Sequence, residues 1–232
     1  MDFLNALILL LNYIFVPALA YGSQLAIGAI FVTLIYGILR FANFATGDMM
    51  SFGTMVAILF TWYFQSLGLS LGFLPTALLA IPFAILFMGL YMLIIDKFVF
   101  KYYRLNKSPP VQLAMVSIGV MFVTQAVVRI IIGPSDRRFF DGEKFLIKAN
   151  EFKEMTGLNE GLAIKSTQVI TIVVTIILVS TLFWFLNKTK TGKSMRAYSD
   201  NEDLALLSGI DPKKIVMITW MIAAILATIG GV

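Results

Sequence analysis

Histidine and cysteine are both missing from this chain. Disulfides and thiolate metal sites are therefore excluded, and an intramembrane enzyme would lack its usual nucleophile and base. Charge is also scarce. Only 13% of the residues are charged, about half the share of a soluble domain. No Asp, Glu, Lys or Arg occurs in 3–39, 49–95, 108–128, 166–187 or 215–232. A bilayer core needs about 20 apolar residues per helix, so the first two tracts are each long enough for two spans and the others for one. With 59% hydrophobic residues and a mean hydropathy of +0.88, the chain reads as an all-α polytopic membrane protein with about seven transmembrane helices. The expected spans are 3–20, 23–40, 48–66, 73–96, 110–132, 167–187 and 214–232, in a single membrane domain over 1–232. Residues 1–20 have no basic flank, since Asp2 is the one early charge, and read as a retained helix rather than a signal peptide.

The net charge of +5 marks membrane orientation rather than nucleic-acid binding, because the basic residues crowd the span borders. Lys97, Lys101, Arg104 and Lys107 fill one loop, and Lys188, Lys190, Lys193, Arg196, Lys213 and Lys214 another. Alternating spans put both loops and Arg40 on the cytoplasmic side, with the N-terminus inside. The 134–166 segment, with Gly133-Pro134, Gly142, Gly157 and Gly161, is then external: a folded cap, a docking surface for an external protein, or a solvated loop.

The 188–213 loop is a polar island between apolar tracts. Ser199 and Glu202 have the S-x-x-E spacing of a capping box. Ala205, Leu206, Leu207 and Ile210 give a short apolar surface, Gly209 is placed to end the helix, and Asp211-Pro212 to start the next. A helix over 199–210 between two spans is shaped to be pushed from outside the membrane, or it is a tidy connector. Gly192-Lys193-Ser194 is not a phosphate-binding loop, because Asn187 stands where that motif needs Gly and a span rather than a strand precedes it. No catalytic pattern appears, so this chain is not expected to hydrolyse ATP, and no cofactor or metal is expected.

Asp48 is the carboxylate nearest the middle of a long apolar region. Asn43, Thr46 and Gly47 beside it add polar groups and backbone freedom, as where a helix is interrupted along a solute path. The plainer alternative is that Asp48 caps the third span. Gln125 and Arg129 lie one turn apart in the fifth span, with Gln125 the deeper. Gly47/Ser51, Gly53/Ala57 and Ala223/Ala227/Gly231 have the small-xxx-small spacing of close helix contacts.

Two segments, LIYGILRFANFATGDMMSFGTMVA and GKSMRAYSDNEDLALLSGIDPKKI, resemble the LivH/LivM-type permeases of branched-chain amino acid ABC transporters, the LivH-like subunit most. The first resembles that family's stretch ending N-F-A-H-G-E. The second matches its cytoplasmic loop through Gly192, Met195, Arg196, Ala197, Ala205, Gly209 and Ile210. The resemblance covers about residues 22–232. It implies a multi-pass protein of the bacterial cytoplasmic (inner) membrane that works with a LivM-like second permease subunit, two cytoplasmic ATPase subunits and an external substrate-binding protein. It also implies that 199–210 is the coupling helix, with Arg196, Ser199, Asp200, Glu202, Ala205, Leu206 and Gly209 at the ATPase. The expected solute is leucine, isoleucine or valine. The family's His is Thr46 here and its Glu is Asp48, which keeps a urea or short-chain amide permease open as the alternative. Family members run on for at least one further span, so the chain is expected to be C-terminally incomplete. An ion-coupled secondary transporter would need no coupling helix and more intramembrane acids than Asp48.

Overall fold

The computed structural model describes residues 2–69, 72, 74–135, 137, 139, 145–156 and 160–232. The chain begins with α1 (Asp2–Leu10), a π-helical turn (Leu11–Phe15) and α2 (Val16–Leu39), joined without a break. Pro17 explains the π turn. Its ring would clash with a carbonyl in the preceding turn of an ordinary helix, and the wider turn, closed by the Val16 amide on the Leu11 carbonyl, absorbs the conflict. The spans expected at 3–20 and 23–40 are thus one helix, because Tyr21-Gly22-Ser23 contains no charge or proline to stop it. Its ends identify its direction. Asn12 accepts a hydrogen bond from the Ala163 amide at 3.2 Å, while Arg40 meets Ser199 and Asp200. The N-terminus therefore lies at the same end as the 134–166 segment, opposite Arg40, and not on the same side as Arg40 as expected.

Arg40 ends α2 in the left-handed region at φ 56°. Next come α3 (Thr46–Ser66), α4 (Ala77–Ile95), a second π turn (Asp96–Phe100), α5 (Lys101–Leu105) and α6 (Pro110–Ile132). At the end of the bundle that carries Asn12, β1 (Phe145–Ile147) pairs antiparallel with β2 (Ile164–Lys165), and α7 (Ala149–Thr156) lies between them. The described part of the 134–166 segment is thus folded; Gly142 and Gly157 lie outside the described residues. Then follow α8 (Ser166–Lys188), α9 (Lys190–Asp200), α10 (Glu202–Leu207) and α11 (Pro212–Gly231). Among the described residues, five helices are long and apolar enough to cross a membrane: Phe3–Leu39, Ala77–Leu105, Pro110–Ile132, Ser166–Lys188 and Pro212–Gly231. The more polar α3 has the length, at 21 residues. The count of about seven falls to five among the described residues because two expected spans are one helix and α3 is not apolar enough to be counted.

The centre of the molecule is α11, which packs against α2, α3 and α4. Its small residues make this possible: Ala223 and Ala227 are fully buried. A Cβ on Gly53 of α3 would come within 3.3 Å of the Thr228 Cα, and one on Gly230 within 2.9 Å of Ile27. Backbones this close gain dispersion contact that larger residues would forbid. Gly47 and Ser51, by contrast, are exposed, and a Cβ on Gly47 would meet nothing within 4 Å. Their spacing makes no helix contact within this chain.

Candidate functional site

Two groups of sequence-selected residues sit toward the Arg40 end of the bundle. The first is the non-helical link between α2 and α3. Backbone at membrane depth must find its hydrogen bonds inside the protein, and side chains supply them here. Buried Asn43 accepts from the Ala45 amide at 3.1 Å through its side chain, and its carbonyl accepts from the Thr46 hydroxyl at 3.1 Å. The Phe44 amide donates to the Ser117 hydroxyl of α6 at 2.9 Å, which itself donates to the Ala114 carbonyl. The link is thus fastened to α6.

Half-buried Asp48 lies in the first turn of α3, where its charge suits the helix dipole. Its carboxylate accepts no hydrogen bond among the described residues, and the position before α3, Ala45, has no side-chain cap. A capping role for Asp48 is therefore limited to its charge. Gly47 beside it is exposed. Gln125, also half-buried, lies eight residues beyond Ser117 on α6, about 12 Å along the helix. No hydrogen bond joins it to the 43–48 group among the described residues. A bridge absent from the sequence reading does connect these helices. The Tyr91 hydroxyl meets the fully buried Thr124 hydroxyl at 2.6 Å, and the Tyr91 ring stacks on Phe52 of α3 at 4.0 Å between centroids. A tyrosine and a threonine in apolar runs were the available signal, but only the fold pairs them.

The second group is the polar 188–213 island, where the capping box does not form. The Ser199 hydroxyl donates instead to the Gly37 carbonyl of α2 at 2.5 Å, and Arg40 donates to the carbonyls of Ser199 and Asp200, the latter at 2.7 Å. These contacts hold Ser199 in α9. The N-cap of α10 is Asn201, which accepts from the Leu204 amide at 3.1 Å. The expected helix over 199–210 is therefore shortened to Glu202–Leu207. Its C-terminal end is as the sequence predicts. Gly209 takes φ 79°, its amide bonds to Leu206 and that of Ile210 to Ala205, which is a Schellman ending. Asp211 caps α11 through the Lys213 amide at 2.9 Å.

The residues expected to touch an ATPase divide by exposure. Ala205 is buried against this chain's own core, so its small side chain serves internal packing. Leu207 is 85% exposed and Leu204 61%, with Leu206, Glu202, Gly209, Arg196 and Asp200 also on the surface. Arg196 donates to the Asn187 side chain at 2.9 Å. Gly192 is needed because a Cβ there would lie 2.2 Å from the Phe185 carbonyl.

A polar knot lies behind α10. Trp220 of α11 donates to the Asp96 carboxylate at 2.8 Å, and Arg104 grips the same carboxylate with two hydrogen bonds at 2.8 and 3.0 Å. Phe100 stacks on Trp220, and Phe41 packs against Phe100. Nearby, the Tyr198 hydroxyl donates to Glu202 at 2.9 Å. Burial, the bond to Glu202 and that carboxylate's charge push the tyrosine's pKa up to about 12. The sequence showed 97–107 as a basic loop and gave no sign that Arg104 and Asp96 were bound to each other and to Trp220.

Residues 14–232 match the model of the family described as the branched-chain amino acid transport system, permease component. The chain belongs to this family. It is 26% identical over 215 residues to the high-affinity branched-chain amino acid transport system permease protein LivH of Escherichia coli (strain K12), a match that covers 91% of this chain and 66% of the relative. It is 25% identical to the corresponding protein BraD of Pseudomonas aeruginosa over 94% of this chain and 68% of the relative. A probable LivH of Methanocaldococcus jannaschii is 26% identical over 92% and 63%. The chain thus spans just under two thirds of the length of the LivH relatives. No solved structure matches it to significance. Family and helices together make it a LivH-like, multi-pass protein of the inner membrane.

Proposed function

We propose that this chain is a transmembrane permease subunit of an ABC importer for branched-chain amino acids, powered by ATP hydrolysis on separate subunits and not on this chain. The carrying observation is α10: a short, capped helix that presents Leu204 and Leu207 outward at the cytoplasmic end. Large apolar side chains displayed on a polar surface mark a contact site. Two ATPase subunits, a LivM-like second permease and an external binding protein complete the assembly in this reading. Arg196, Asp200, Glu202, Leu206 and Gly209 lie at the ATPase contact, while Ser199 and Ala205 hold α10 from behind. The solute passes Asn43, Thr46, Gly47, Asp48 and Gln125. The 134–166 segment receives the binding protein.

The test is co-purification followed by solute-stimulated ATP hydrolysis in the reconstituted complex. An ATPase subunit should be retained by the wild-type chain and lost from Leu207→Glu. Retention with full coupling in that variant would refute α10 as the contact. A urea or short-chain amide permease is the second reading, favoured by Thr46 and Asp48 where the resembling permeases have His and Glu. Competition of labelled leucine uptake by urea, acetamide and valine separates the two.

A further inference from the structure

An apolar groove runs between α8 and α11, both of which rest on α2. It encloses about 470 Å³ and is walled by Val174, Leu178 and Phe185 on one side and by Ile218, Ile222 and Ile229 on the other. The two helices run in opposite directions, so Phe185 and Ile218 mark the cytoplasmic end. From Val174 to Phe185 the groove is about 16 Å long. That is roughly half of the ~30 Å hydrocarbon core, or one leaflet.

The polar residues at its mouth say what occupies it. On α8 the wall 174, 178, 181, 185 continues at helical spacing to Lys188, and on α11 the wall 229, 225, 222, 218 continues to Lys214. Both lysines are exposed. Lys190 and Lys213 flank them. The acidic neighbour, Asp211, is engaged in capping α11. We propose that this groove binds an anionic phospholipid of the cytoplasmic leaflet, with one acyl chain between α8 and α11 and the phosphate and acidic headgroup between Lys188 and Lys214. Basic sites between membrane helices at the cytoplasmic surface recognise acidic headgroups in this way, each lysine contributing about five-fold in affinity.

The experiment is native mass spectrometry of the chain in detergent, titrated with phosphatidylglycerol or phosphatidylethanolamine of identical acyl chains. Phosphatidylglycerol should bind preferentially, Lys188→Gln/Lys214→Gln should remove the preference, and Ile222→Trp should reduce binding of both lipids by filling the groove. The paired lysine variant alters only exposed side chains, so it remains informative even if Ile222→Trp fails to fold. Equal binding of the two lipids, or a preference that survives the lysine changes, would overturn the proposal. A photoreactive residue at Ile222 provides an independent reading in membranes. It should crosslink to lipid, and crosslinking to a helix of this or a partner protein would refute lipid as the occupant.

Discussion

Asp48 shows how one side chain separates two roles. Its acceptor oxygens are unoccupied by protein donors among the described residues. If it contributes only charge to the dipole of α3, Asp48→Asn removes at most about 2 kcal/mol at a half-buried position and leaves uptake intact. If it meets the ammonium group of an amino acid, that variant should reduce uptake strongly, while Asp48→Glu, the residue the resembling permeases carry, keeps it. We expect the second outcome in a transport assay at matched expression. Gly192 is a purely structural position. Gly192→Ala should lower thermal stability by about 1–3 kcal/mol, the usual cost of overpacking, because the added methyl meets the Phe185 carbonyl. An unchanged melting temperature would show that α8 and α9 separate freely.

At the scale of elements, α10 was half legible. Gly209 and Asp211-Pro212 are local signals, and they placed the end of α10 and the start of α11 correctly. The start of α10 was not local. Ser199, Asp200 and Asn201 are all capable N-caps, and the choice among them depends on Gly37 and Arg40, more than 150 residues away in the chain. The pairing of Ser199 with Glu202 satisfied a spacing rule while the fold used Ser199 elsewhere. The interior position of Ala205 follows from the same displacement. Ala205→Trp should therefore impair folding of this chain itself, seen as lost monodispersity in detergent, whereas Leu207→Glu should leave folding intact and lose only the ATPase subunit. The Tyr198–Glu202 bond adds a pH prediction. Tyr198 ionises at about 12 when folded and near 10 when unfolded. Its contribution is therefore full below pH 10 and is lost as pH rises toward 12. The stability gap between wild type and Tyr198→Phe should close over that window in unfolding curves.

Over the whole molecule, absence of charge located the membrane tracts well. Spans expected at 110–132, 167–187 and 214–232 correspond to α6, α8 and α11, while the one expected at 48–66 is a helix, α3, that is not among the five apolar enough to cross. The N-terminal tract failed because length alone cannot say whether 37 uncharged residues turn back or run straight. Only a breaker would have decided it, and Pro17 is accommodated by a π turn rather than by a loop. Sidedness follows from this difference and is testable in a chain with no cysteine of its own. Single cysteines at Phe3 and Asn150 should be labelled by an impermeant reagent from outside, and one at Leu207 only after the cytoplasmic side is opened. Labelling at Phe3 together with Leu207 would restore the two-span reading.

The long first helix has a consequence for the membrane itself. Its two anchorage points, Asn12 and Arg40, are 28 residues and so about 42 Å apart. That distance matches a bilayer measured to the outer edges of its headgroups, about 40–45 Å. Upright, the helix reaches from one polar surface to the other. In a thinner bilayer it must lean, and leaning pulls on whatever holds its ends. One of those holds is the Arg40 grip on Ser199 and Asp200, one residue before the cap of α10. A change in bilayer thickness would thus load the contact beside which α10 begins.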